Sequence, residues 1–151
     1  MPKRIFIAAV AAALLAGCSH APAPRAEAGR PAPARSDTTI PAEPAEAVWH
    51  LRAGLNVAAL TCRGRGRTNV APAYARVVSR HKTLLARAYA SEERRYGKGF
   101  DRHQTKLYNQ FSNQRSPERF CRSAASVANR AAAMDSAALA KNARALVAEL
   151  N

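Results

Sequence analysis

Apolar residues are distributed along the chain in three regimes. Ile5 to Leu15 is an almost unbroken apolar run behind Lys3 and Arg4. From Ser19 to about Ala45 large apolar residues nearly vanish. Ile40 is the exception, among Pro22, Pro24, Pro31, Pro33, Pro41 and Pro44 spaced by Ala, Arg and Ser. From Glu46 onward apolar positions recur with a period near 3.6, the pattern of amphipathic helices.

The periodic part predicts its own elements. Val48, Leu51, Leu55, Ala58 and Ala59, broadened by Trp49, give a first helix an apolar face over about Glu46 to Leu60. Gly54 inside it costs about 1 kcal/mol of propensity and lets another helix come close. The glycines of Cys62-Arg63-Gly64-Arg65-Gly66-Arg67 break that helix. Pro72 suits the first turn of a second helix. Val77, Val78, His81, Leu84, Leu85, Ala88 and Tyr89 line one face of it, and Gly97 ends it. At 1.5 Å per residue it would be about 35 Å long, a length that invites a kink.

Asp101 with Gln104 three residues on has capping-box spacing and predicts the N-cap of a third helix, with Leu107, Tyr108 and Phe111 inward. Ser116-Pro117-Glu118 reads as the start of a fourth: capping hydroxyl, Pro at the first position, acid in the first turn. Its face is Phe120, Cys121, Ala124, Val127, Ala128 and Ala131. Asp135-Ser136 caps a fifth, with Leu139, Leu146, Val147 and Leu150 inward. No alternating run is bounded by hairpin turns, so no strand is expected. The fold class is therefore all-α: a small antiparallel bundle of four to five helices over residues 46–151. The proline-rich stretch, residues 18–45, cannot bury enough surface to offset its ordering entropy and reads as a disordered tether.

A charged start, an apolar run too short to span a bilayer and a small-residue site make residues 1–17 an export signal. Leu15-Ala16-Gly17-Cys18 closes it and resembles the lipidation box of bacterial lipoproteins. That resemblance implies a diacylglyceryl group on Cys18, cleavage before it, and acylation of the new amine, palmitate included. Several chains at about 0.8 kcal/mol per buried CH₂ make a lasting anchor. In that class Ser19, which is not Asp, implies the outer membrane, with the domain facing the periplasm. The stretch Trp49 to Cys62, with Tyr108-Asn109-Gln110-Phe111 and Phe120-Cys121, resembles a group of small uncharacterised exported proteins of proteobacteria. It transfers no catalytic residue.

With Cys18 taken by lipid, Cys62 and Cys121 remain as an even pair in an oxidising compartment, and a disulfide is expected. Closing about 60 residues is worth on the order of 4 kcal/mol in the chain-entropy model. The topology agrees. If helices alternate up and down, the end of the first and the start of the fourth share a pole.

Lys and Arg number 24 against 10 Asp and Glu, a formal charge of +14. From Ala47 onward 19 basic residues face 6 acidic ones, so the charge sits on the helical domain. Such a field favours polyanions. An exported lipoprotein meets lipopolysaccharide phosphates and peptidoglycan carboxylates rather than nucleic acid. The sharpest clusters are Arg63, Arg65 and Arg67 on the glycine-rich loop, and Arg94, Arg95, Lys98, Arg102 and Lys106 around Gly97. Guanidinium forks suit phosphate oxygens.

Catalytic and metal signatures are weak. Glu92, Glu93 and Asp101 are the candidates for a sugar-hydrolase acid pair. Adjacent Glu residues on a helix diverge, though, and Asp101 reads as a cap. His50, His81 and His103 show no metal-motif spacing. His81 lies on an apolar face and reads as a satisfied core histidine. Trp49 reads as a core anchor. No metal or cofactor is expected. The expected role is a non-catalytic structural or binding module with a basic surface, held on a membrane by lipid. The alternatives are an envelope wall hydrolase or an adaptor for a partner protein.

Overall fold

A computed structural model describes residues 41–64 and 68–151, all within one unit, Asp37–Asn151. The signal, residues 18–40 of the tether, Cys18, Arg65 and Arg67 lie outside the described residues. The remainder forms α1 (Ala42–Thr61), α2 (Ala71–Arg80), α3 (Lys82–Tyr96), a 3₁₀ turn (Gly97–Gly99), α4 (Phe100–Ser112), α5 (Pro117–Ala133) and α6 (Ser136–Ala148).

α1 is the axis of the domain. Ala45, Val48, Trp49, Leu51, Ala53, Gly54, Leu55, Val57 and Ala58 are all buried, which is more than one face of a helix. A helix apolar nearly all round belongs in the centre, and α1 packs against every other α-helix. Gly54 is where the packing is closest: a Cβ there would lie 2.8 Å from Leu150 Cδ1 and 3.0 Å from Phe111 Cε1.

Side-chain pairs fix the directions. Arg95 on Glu46 and Trp49 against Tyr89 run α3 antiparallel to α1. His103 beside His50, and Phe111 beside Gly54, bring α4 back up. α5 leaves the disulfide end alongside α2, and α6 rises again to put Arg144 on Glu43 and Leu150 on Gly54. With α2 and α3 taken as one broken rod, the domain is an alternating bundle of five rods, as the sequence predicts. Among the described residues no strand forms; Arg63 and Asn69 make one isolated bridge.

Several local expectations are corrected. α1 begins at Ala42 rather than Glu46, because Pro41 stands at its N-cap and Pro44 falls in the first turn, where a missing N–H costs nothing. The second rod breaks at His81 (φ −106°, ψ 22°), whose ring is drawn inward. Val78 is 39 % exposed and Tyr89 40 % exposed, so neither belongs fully to the buried face. Asp101 is not an N-cap. Gly99 holds that position, and α4 starts at Phe100, which is buried, two residues earlier than a cap at Asp101 would place it. Ser116 is the N-cap of α5 but makes no side-chain capping bond. Asp135 caps α6 as expected, its Oδ1 accepting from Ala138 N at 2.7 Å. Gly97, at φ 48°, ends α3 in the conformation that favours glycine.

Candidate functional site

Cys62 and Cys121 are joined, with Cα atoms 5.4 Å apart and a sequence separation of 59. The bridge ties the C-terminal end of α1 to the first turns of α5, the shared pole that alternation requires. Arg63 follows it, exposed, with Nε donating to Leu60 O at 3.0 Å.

Arg63 does not meet the cluster around Gly97. Arg95 donates to Glu46 near the start of α1, whereas Arg63 sits past its end. At 1.5 Å per residue the two lie about 25 Å apart along that helix. Hydrogen bonding to Glu46, and then its charge, raise the Arg95 pKa. Ion pairs among the described residues engage Arg95, Arg122, Arg130 and Arg144. Arg94, Lys98, Arg102 and Lys106 are exposed with no acid partner. Arg102 and Lys106 are four apart on α4 and so share one helix face.

Glu92 and Glu93 diverge as adjacent helical residues must. Glu93 is exposed and accepts from the Tyr89 hydroxyl at 3.3 Å, whereas Glu92 is fully buried. No acid pair is assembled from them.

The fold instead builds a cluster that spacing did not reveal. His50 on α1, Glu92 on α3 and His103 on α4 each offer a donor atom, and these atoms all lie within 4.8 Å of one another. The Glu92 side chain is 1 % exposed and that of His103 17 %. His103 Nε2 stands 3.2 Å from Glu92 Oε2, close enough to pair. Even so, both Glu92 oxygens, His103 Nε2 and His50 Nε2 are buried without a well-directed hydrogen bond. Tyr96 lies flat on the His103 ring, centroids 3.7 Å apart and planes 10° apart, and holds its orientation. Burial, then the nearby Glu46 charge, raise the Glu92 pKa, with His103 and Arg95 opposing. Burial lowers the His50 pKa, with Glu46 opposing. Two imidazoles and a carboxylate are the donor set of a borderline divalent metal. His50 and Glu46 also line a hollow of about 200 Å³, with Glu43, Ala47, Arg144 and Val147.

The remaining histidine of the domain is the satisfied core residue its position predicts. His81 Nε2 donates to Ala131 O at 3.0 Å, which leaves Nδ1 to accept from the Ser136 hydroxyl at 2.9 Å. Trp49 is a buried core anchor, edge-on to Tyr89 with Arg52 stacked 4.8 Å from its ring centre.

Residues 3–19 match the prokaryotic membrane lipoprotein lipid attachment site. Cys18 lies within that span, and the match supports a lipid-anchored protein of the bacterial cell envelope. Neither curated proteins nor solved structures give a match to the chain.

Proposed function

We propose that the chain is a non-catalytic binding module of the bacterial envelope, attached through lipid on Cys18 to the outer membrane and facing the periplasm. Its basic helical surface engages envelope polyanions, the phosphates of lipopolysaccharide or the carboxylates of peptidoglycan. One observation carries this reading. The acids of the domain are largely engaged internally: Glu43, Glu46, Glu118 and Glu149 by arginines, Asp135 as a cap, Glu92 by burial. The cations outnumber them, and Arg94, Lys98, Arg102 and Lys106 stand exposed and unpaired around the α3–α4 turn. A cluster of this kind is the natural contact, with Arg63 as a separate contact at the other end of α1.

The adaptor alternative draws no support from the surface. Among the described residues, Leu60, Val78 and Tyr89 are the large apolar residues left exposed, and they lie on three different helices.

Retention of the purified protein on lipopolysaccharide and on isolated peptidoglycan, measured against salt, tests the proposal. Binding should fall steeply with salt and fall again when Arg94, Lys98, Arg102 and Lys106 are replaced by Gln. Retention indifferent to both changes would refute it, and lysis of the wall would replace it with the hydrolase reading.

A further inference from the structure

We propose that His50, Glu92 and His103 form a binding site for a divalent first-row transition-metal ion of the zinc type, which ties α1, α3 and α4 together. The site lies near the middle of α1 and goes beyond the polyanion reading, on which it does not depend.

The first argument is the orphaned carboxylate. Glu92 is fully buried, and neither of its oxygens receives a well-directed hydrogen bond, although the His103 imidazole stands beside them. A buried carboxylate is costly unless it is paired or coordinates a metal. Its nearest partner, His103, presents Nε2 at 3.2 Å without completing a hydrogen bond. His50 Nε2 is likewise buried and unpartnered. Four unsatisfied donor atoms from three helices thus converge on one point, whereas the other buried histidine of the domain, His81, has both nitrogens bonded.

The second argument is size. Metal–donor bonds of about 2.0–2.1 Å in a tetrahedral shell put donors about 3.3 Å apart. The His103–Glu92 separation of 3.2 Å already meets this. The widest separation in the set, within 4.8 Å, closes with a small turn of one imidazole. Tyr96, stacked on His103, fixes the ring that needs least adjustment.

The third argument is donor chemistry. Two nitrogens and one oxygen suit Zn²⁺ and its neighbours, whereas Ca²⁺ and Mg²⁺ require oxygen shells and Cu(I) requires sulfur. Three protein ligands leave a fourth position to solvent, and one of the three, His50, also lines the hollow it shares with Glu46.

Titration of the untagged full chain, purified in detergent, with Zn²⁺ alone tests this. The expected result is one equivalent bound tightly, a raised Tm, and no response to Ca²⁺ or Mg²⁺. Glu92→Gln, His50→Ala and His103→Ala should each abolish that binding. If a variant does not fold, NMR of the wild-type imidazoles decides: Zn²⁺ should shift the His50 and His103 signals and leave His81 unmoved. No saturable Zn²⁺ binding, binding that survives all three substitutions, or unmoved His50 and His103 signals would overturn the proposal and leave a metal-free buried His103–Glu92 contact.

Discussion

Gly54 on α1 and Leu150 just past α6 are in contact at a distance that leaves no room for a methyl group: a Cβ on Gly54 would stand 2.8 Å from Leu150 Cδ1. Phe111 of α4 closes the same gap from another side at 3.0 Å. Three rods meet at this point, so the glycine is a packing residue. Replacing it with Ala recovers about 1 kcal/mol of helix propensity. Overpacking a filled core costs about 1–3 kcal/mol. Gly54→Ala should therefore be destabilising by up to about 2 kcal/mol, and Gly54→Val more so, as read by urea unfolding. A stabilised Gly54→Val variant would mean that these helices do not meet there.

The Cys62–Cys121 bridge closes a loop with 59 positions of separation. Reduction, or the paired change Cys62→Ala with Cys121→Ala, should lower stability by about 4 kcal/mol if constraint of the unfolded chain dominates. That is a large fraction of the total for a domain of this size. Denaturant midpoints with and without reductant measure it, and identical midpoints would contradict the account.

His81 holds the break between α2 and α3 by bonding Ala131 O at 3.0 Å and Ser136 Oγ at 2.9 Å. His81→Leu keeps the volume but leaves the buried Ala131 carbonyl without its donor. The cost should be about 1–3 kcal/mol. Ser136→Ala should cost less, because Ser136 is exposed. Thermal unfolding of the two variants gives the order.

Burial raises the Tyr74 pKa above 10.0, with the Arg52 charge opposing. The native state then keeps its phenolic proton at pH values where the unfolded chain has lost it. Stability from this group is complete below about pH 10 and is lost as pH rises through the native pKa. Tyr74→Phe should flatten the loss of stability between about pH 10 and pH 12, read as Tm against pH. A variant curve parallel to wild type would exclude the effect.

The parts of the fold written locally were legible. Pro117 and Asp135 mark helix starts, Gly97 marks an end, and the apolar period locates the buried faces. The length of the second rod hinted at a kink, but its position at His81 was not legible, since no Gly or Pro lies between Pro72 and Gly97; the cause is tertiary, a ring bonded to α5 and α6. Asp101 was misread because Gly99 and the buried Phe100 take over the start of α4. The disulfide was legible because two residues and an alternating topology suffice. The His50–Glu92–His103 cluster was hidden because its members come from three helices, 42 and 11 positions apart. A partial signal existed: Glu92 and His103 stand nearly equidistant from the Gly97–Gly99 turn, so a helical hairpin there brings them face to face.

Attachment through Cys18 underlies the whole functional account, and mass spectrometry of the N-terminal peptide of the protein from native membranes tests it most directly. The account predicts a chain that begins at Cys18 and carries a diacylglyceryl group. A chain that retains Met1–Gly17, or an unmodified Cys18 in the aqueous fraction, would contradict it.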